Sequence, residues 1–140
     1  MSKLKPELSQ KSKYYISKHR YYELKHFCLQ YPEWRRELYS ISSLVKPRLE
    51  EHIVNGLHGD KTVQAAEIRE LYLAKMKVVE QSALAADPDL YKWLLKAVTE
   101  GWSFDQLNAR ERIPCSRDTW YDRYRKFFYI LDHSQKIQRL

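Results

Sequence analysis

Residues 103–131 have the sequence SFDQLNARERIPCSRDTWYDRYRKFFYIL. Ser103 and Gln106 have the spacing of a capping box, in which the serine caps a helix and the glutamine reaches back to the backbone of the cap. Pro114 interrupts the helical pattern, and Ser116 is placed to cap a second, longer helix. The stretch therefore predicts a short helix over 104–110, a turn, and a longer helix over 117–132.

A third helix is predicted immediately before this stretch. Asp87 and Pro88 form a strong start signal, because aspartate is a favoured N-cap and proline is tolerated in the first turn. Gly101 is the expected stop. The chain thus has helices over 88–100, 104–110 and 117–132, which is the order of a helix-turn-helix DNA-binding unit.

The longest of these helices is predicted to have two faces. The apolar stripe comprises Trp120, Tyr124, Phe127 and Leu131, which recur at helical spacing. The other face and its border carry Arg117, Asp118, Thr119, Tyr121, Asp122 and Arg125. Residues near the start of a recognition helix meet base edges, and arginine there can pair with guanine. We therefore predict this face as the DNA-reading surface.

Four further cations are better suited to phosphate contacts, which position a protein without reading sequence. They are Arg123, Lys126, Arg110 and Arg112. Asp118 and Asp122 repel phosphate, so they either accept from a cytosine amine or hold neighbouring arginines. The alternative for the whole pattern is structural, since a capped short helix, a turn and an amphipathic helix also occur in helical bundles that bind no DNA.

The rest of the chain is predicted to be helical as well. Apolar or small residues at 14, 17, 21, 24, 28 and 31 predict one helix, Pro32 opens the next, and residues 47–60 contain the turn formers of a joint. A long helix runs from Thr62 to about Ala86. The predicted fold is all-α, with a basic aromatic-rich lobe over 1–58, a long connecting helix over 59–86 and the helix-turn-helix unit over 87–140.

A second basic and aromatic surface is predicted near the N-terminus. It comprises Lys13, Lys18, Arg20, Tyr21, Tyr22 and Lys25. Tyrosine and arginine dominate protein interfaces, and aromatic side chains with cations also stack single-stranded bases. The alternative is that these tyrosines line a small core with their hydroxyls in water.

Charge favours a polyanionic partner. The formal net charge is +7 and the sequence pI is about 9.4. Residues 1–58 carry 11 Lys and Arg against 6 Asp and Glu, and residues 101–140 carry 8 against 5, so the positive charge lies at the two ends. Such a charge distribution favours a nucleic-acid partner, but charge alone does not identify the partner.

Enzyme and metal signatures are absent from the sequence. The five histidines lie in no zinc-ligand spacing, and no phosphate-binding glycine motif or nucleophile elbow occurs. The two cysteines form no CxxC pair, and no segment has the length of a membrane span. We therefore expect no enzymatic activity, no catalytic residues, no metal, no cofactor and no membrane partner.

One motif resembles a known family. The stretch CSRDTWYDRYRKFF (115–128) resembles the recognition helix of phage late-transcription regulators of the RinA/ArpU kind, which in turn resemble the promoter-reading region of sigma factors. Residues 14–34 also resemble prophage proteins of Gram-positive bacteria. The resemblance implies a regulator in the cytosol of a bacterial host that reads duplex DNA through the helix 117–132. A homodimer and a contact with RNA polymerase or another host protein are the further partners it suggests.

Two other functions remain open on the sequence. The first is a phage-encoded inhibitor, similar in role to an anti-CRISPR protein, that binds a host defence nuclease through the basic aromatic surface. The second is an accessory subunit of DNA packaging with a similar DNA-binding head.

Overall fold

The computed structural model describes residues 12–41 and 60–138, and every regular element within these ranges is helical. The all-α prediction is confirmed. The helices are α1 (Lys18–Leu29), α2 (31–41), α3 (Asp60–Ala86), a short 3₁₀ helix (Pro88–Leu90), α4 (Tyr91–Glu100), α5 (Phe104–Glu111) and α6 (Arg117–Gln138). The predicted joint over 47–60 and the polar N-terminal arm lie almost entirely outside the described residues.

Local capping signals set most of the helix starts. The Ser17 hydroxyl accepts a hydrogen bond from the Arg20 backbone N–H, so α1 begins at Lys18 rather than at the predicted Tyr14. Asp87 caps the next start as predicted, but residues 88–90 form a 3₁₀ turn before α4. Gly101 ends α4 with φ of 76°, a left-handed conformation that favours glycine.

The chain divides into two compact units. Among the described residues, the first contains 12–30 and 78–138, and α1 packs there against α4 and α6. The sequence pattern predicts that α1 belongs to a separate N-terminal lobe over 1–58. Its apolar stripe is instead completed by the C-terminal helices, because Tyr21, Leu24 and Cys28 are buried among them.

The core of the first unit is predominantly aromatic and aliphatic. Its fully buried side chains include Leu24, Leu94, Leu107, Trp120, Phe127, Phe128 and Leu131. Three members of the predicted stripe of α6, Trp120, Phe127 and Leu131, are therefore in the core. Phe128 was not predicted, and it is buried because α1 covers this side of α6 with the Tyr21 ring, whose centroid lies 5.0 Å away.

The described part of the second unit comprises residues 31–41 and 60–77. Within it the rings of Tyr31 and Trp34 pack with centroids 6.4 Å apart, and the Lys75 ammonium lies 5.6 Å from the Trp34 ring. The Tyr72 hydroxyl donates to the Glu37 carboxylate over 2.7 Å. No described helix is both long and apolar enough to cross a membrane.

Candidate nucleic-acid interface

The capping box at the start of α5 forms as predicted. The Gln106 backbone N–H donates to the Ser103 hydroxyl over 3.1 Å, and the Ser103 backbone N–H donates to the Gln106 side-chain oxygen over 2.9 Å. Two backbone donors that a helix start leaves open are thereby satisfied. The capping box therefore fixes the start of α5 at Phe104, three residues after Gly101.

The turn between α5 and α6 is closed by Asn108, which the sequence analysis did not single out. Its backbone carbonyl accepts from the Arg112 N–H over 3.0 Å, and its side-chain oxygen accepts from the Ile113 N–H over 2.8 Å. Ile113 is buried and anchors the turn to the core. Arg112 has φ of 51°, which is left-handed backbone that a side chain with a Cβ adopts only at a cost.

The first turn of α6 faces solvent. The Ser116 hydroxyl accepts from the Thr119 backbone N–H over 3.2 Å and donates to the Thr119 hydroxyl over 3.1 Å. Asp118 and Thr119 are exposed. The start of this helix is therefore capped by its own residues and presents two of the predicted DNA-reading side chains outward.

Arg117 is held against α5. Its guanidinium donates to the Asp105 carboxylate and lies 5.2 Å from the centroid of the Phe104 ring. The hydrogen bond that Arg117 donates to Asp105 raises the pKa of Arg117 above its ordinary value. The side chain keeps 53% of its surface exposed, so it is oriented by this contact while still open to a ligand.

Two other predicted site residues belong to an ion-pair network. Arg123 donates to Asp122 on its own helix and, over 3.2 Å, to Asp87, the N-cap before the 3₁₀ helix. Asp87 uses its other oxygen to accept from the Asp89 backbone over 2.9 Å. Arg123 thus ties α6 to the N-cap of the 3₁₀ helix. Its contact with Asp122 is the arginine-holding role offered by the sequence, whereas Asp87 was not visible as a partner in the local sequence.

The remaining predicted cations carry no such pairing. Arg110, Arg112, Arg125 and Lys126 form no ion pair with any residue in the described ranges. Arg110 and Arg112 are exposed at the end of α5, and the other two are half-buried in the middle of α6. Arg110 also lies 4.9 Å from the Trp102 ring centroid.

The predicted basic aromatic surface of α1 is split between core and solvent. Arg20 is bound to Asp132, and Tyr21 is buried with its hydroxyl 3.1 Å from the Tyr124 hydroxyl. Burial raises the pKa of Tyr124 well above its ordinary value, so that this hydroxyl stays protonated. These residues support the alternative in which tyrosines line the core.

The other residues predicted for this surface are exposed or half-buried. Tyr22 is 44% exposed, and the Lys25 ammonium lies 5.9 Å from its ring centroid. Lys18 is exposed at the start of the helix, and the Lys13 ammonium lies 5.0 Å from the Tyr14 ring. Part of this surface is therefore available to a partner.

A groove of about 750 Å³ brings the two predicted surfaces together. One side comes from α1, which supplies Tyr22 and Lys25, and another comes from α6, which supplies Arg117 and Tyr121. The corner between α4 and α5 completes it with Trp102, Phe104 and Asp105. Trp102 and Phe104 were missed by sequence reasoning, since each lies at a helix boundary rather than in a stripe.

Other reactive groups do not assemble into a site within the part of the chain that the structure describes. No group of three or more His, Cys, Asp or Glu side chains there is placed to hold a metal. Cys28 is buried and Cys115 half-buried, and burial raises the pKa of both thiols. Neither cysteine has the depressed pKa of a reactive thiol.

Comparison with known proteins gives no relative: no family model, no curated protein and no solved structure matches the chain.

Proposed function

We infer that this protein binds duplex DNA through α5, the turn over 112–116 and α6, and acts as a phage-type transcription regulator. A capped short helix followed by a tight turn and a longer helix with an exposed first turn is the arrangement in which helix-turn-helix proteins enter the major groove. The resemblance of residues 115–128 to phage late-transcription regulators points to the same function.

The observation that carries the proposal is the contrast among the cations of this segment. Arg123 is neutralised by Asp87 and Asp122, whereas Arg110, Arg112, Arg125 and Lys126 have no ion-pair partner among the described residues. Unpaired arginines and lysines beside an exposed helix start suit the phosphate contacts that dominate DNA affinity. Neutralising phosphates in this way releases counterions and makes binding steeply dependent on salt.

Base reading is assigned to the exposed first turn of α6. Asp118 is outward-facing and has the acceptor chemistry for a cytosine amine, and Thr119 offers its methyl group to thymine. Arg117 is directed to Asp105 and contributes less to base reading than its position alone suggests. The paired Asp122 serves to hold Arg123.

The test is a fluorescence-anisotropy titration of labelled duplexes of about two helical turns, at salt concentrations of about 50 and 200 mM. Fragments are drawn from phage genomic DNA. The double variant Arg112→Gln, Lys126→Gln should reduce the affinity for all duplexes to a similar degree. It should also reduce the slope of log affinity against log salt by about 2. The double variant Arg69→Gln, Lys77→Gln is the matched control, since it also removes one arginine and one lysine, both exposed on α3 in the other compact unit.

The proposal fails if the unchanged protein does not bind duplex DNA at the lower salt concentration. A folded protein that gives no duplex binding but forms a tight complex with a host nuclease would instead support the inhibitor alternative. An equal loss of affinity in Arg69→Gln, Lys77→Gln would show that net charge, and not this segment, determines binding.

A further inference from the structure

We propose that the groove between α1, α6 and the α4–α5 corner binds unpaired nucleotides of single-stranded DNA, stacking a base on Tyr22 and Tyr121 and holding phosphate with Lys25 and Arg117. The inference goes beyond duplex binding and does not rest on it. The groove residues are distinct from Arg112 and Lys126, the two duplex-phosphate residues whose replacement tests the proposed function, and Arg125 adjoins both surfaces.

Aromatic faces are the first requirement for binding an unpaired base, because every base has a π-face that stacks without sequence preference. Tyr22 of α1 is 44% exposed, and Tyr121 of α6 is half-buried. Both line the groove from different helices. In duplex DNA the base faces are covered by neighbouring pairs, so only an unpaired base can use this arrangement.

The charge of the groove is suited to an anion. Its charged lining residues are Lys25, Arg117 and the single acid Asp105. The Lys25 ammonium lies 5.9 Å from the Tyr22 ring centroid and the Arg117 guanidinium 5.2 Å from that of Phe104, so each cation adjoins an aromatic wall. A nucleotide has the matching combination of a planar ring and a phosphate.

Asp105 orients Arg117 without blocking it. The Asp105 side chain is 69% exposed, and in water an exposed ion pair of this kind is weak. A phosphate can therefore replace the carboxylate and form a charge-assisted, two-point hydrogen bond with the guanidinium. The pair keeps the arginine directed toward the groove before a ligand arrives.

The size and continuity of the groove also fit a strand. A volume of about 750 Å³ lies in the range of sites that seat one small ligand, so one or two nucleotides occupy it and the strand continues beyond. Arg117, Tyr121 and Arg125 succeed one another at four-residue spacing on α6, which places them along one side of the helix. Arg125, half-buried and without an ion pair among described residues, extends the cationic track past the groove.

The test uses the full chain and a labelled oligothymidylate of about 12 nucleotides, within the usual site sizes for single-strand binding. Tyr22→Ala and Tyr121→Ala should each weaken its binding about fivefold or more, and the conservative Tyr22→Phe and Tyr121→Phe should retain affinity because the stacking face is kept. Tyr39→Ala, which removes a 79% exposed tyrosine of α2, is the matched control and should change nothing. A 2-aminopurine base placed in the strand should lose fluorescence on binding.

A matched ligand separates stacking from charge. An abasic oligonucleotide of the same length has the phosphates without the bases and should bind at least about fivefold more weakly. Equal affinity for the abasic strand, or unchanged binding by both alanine variants, would overturn the proposal. Displacement of the strand by an acidic peptide at the same charge concentration would identify the groove as a protein site and would also overturn it.

The duplex-binding proposal and the groove proposal are tested independently of each other. Loss of oligothymidylate binding in Tyr22→Ala with unchanged duplex binding supports the groove alone. Loss of duplex binding in Arg112→Gln, Lys126→Gln with unchanged oligothymidylate binding supports the helix-turn-helix surface alone.

Discussion

The side chains of Arg20 and Asp132, separated by 112 positions in the sequence, form an ion pair in which the arginine Nε donates to the carboxylate over 2.6 Å. Asp132 is 4% exposed, and its other oxygen lies 3.3 Å from the Lys136 ammonium. Arg20 also donates to the side-chain oxygen of Gln135 over 3.1 Å. The pair joins α1 to the C-terminal half of α6, so an arginine predicted for a surface fastens one helix to another.

Removing the arginine should destabilise the fold. Arg20→Ala leaves Asp132 with only the exposed Lys136 as a cationic partner among the described residues, and the loss of a hydrogen bond to a charged group in this part-buried pair costs about 1.5–3 kcal/mol. We expect the free energy of unfolding, measured by urea denaturation, to fall by about that amount. Lys18→Ala, on the same helix but exposed, should change it by less than about 0.5 kcal/mol. Similar stability in the two variants would mean that the ion pair makes no net contribution to the free energy of unfolding.

Stability should decline in acid because of the same pair. Burial opposes the ionisation of Asp132, but hydrogen bonds from Arg20 and Lys136 outweigh it and lower the pKa of this carboxyl below its ordinary value. A depressed pKa contributes stability above the unfolded-state value of about 4, and that contribution is lost as the pH falls through the folded-state pKa.

The measurement compares urea unfolding at about pH 6 and about pH 3, on either side of the unfolded-state pKa. Asp132→Asn should lose less stability between these two conditions than the unchanged protein, since it has no proton to bind at this position. An identical loss in both proteins would assign the acid sensitivity to other carboxyls.

Truncating Phe128 should be among the more damaging single changes in the core. Its ring lies 5.0 Å from Tyr21, 5.0 Å from Tyr124 and 4.9 Å from Phe127, and it is fully buried. Phe128→Ala should reduce the free energy of unfolding by about 3–5 kcal/mol, through lost burial and the cavity left behind. Thermal denaturation compares this variant with Tyr22→Ala. Removing the partly exposed Tyr22 ring should lower the melting temperature much less than removing the Phe128 ring.

Replacing Arg112 should separate stability from binding. Its φ of 51° is left-handed, which costs an L-residue roughly 1–2 kcal/mol and glycine almost nothing. Arg112→Gly should therefore raise the free energy of unfolding by about 1 kcal/mol, an amount reduced by the greater flexibility of glycine in the unfolded chain. Urea denaturation checks this value.

The same variant should bind duplex DNA more weakly because a phosphate contact is lost. Arg112→Asn tolerates the left-handed backbone as well and should behave similarly. A variant that is both more stable and unimpaired in duplex binding would show that this arginine is not part of the DNA surface.

The features predicted correctly from the sequence depend on residues close together in the chain. The Ser103–Gln106 capping box, the Asp87 cap and the left-handed stop at Gly101 all involve contacts within a few residues. The buried stripe of α6 followed from helical spacing alone, since Trp120, Phe127 and Leu131 repeat with the helix period. Signals of this kind need no knowledge of the rest of the fold.

The features that were missed depend on distant partners. Phe128 lies one position beyond the predicted stripe and is buried because α1 widens the covered face of α6. Asn108 closes a turn through its side chain, a role shared by many asparagines that show no distinguishing pattern. The turn residue Arg112 gave no sequence sign of its left-handed backbone.

The amino-acid sequence by itself determined the helical class, the positions of most helix ends and the composition of the α6 core face, because backbone hydrogen bonds and helical periodicity are local. Only the tertiary structure decided which charged side chains are neutralised. Arg20 and Arg123 each have a local acid, Glu23 and Asp122, that the sequence displays. The fold adds the distant acids: Asp132 for Arg20, Asp105 for Arg117 and Asp87 for Arg123 lie 112, 12 and 36 positions away. The groove also depends on the tertiary structure. Its walls come from three segments that come together only when α1 packs against the C-terminal helices.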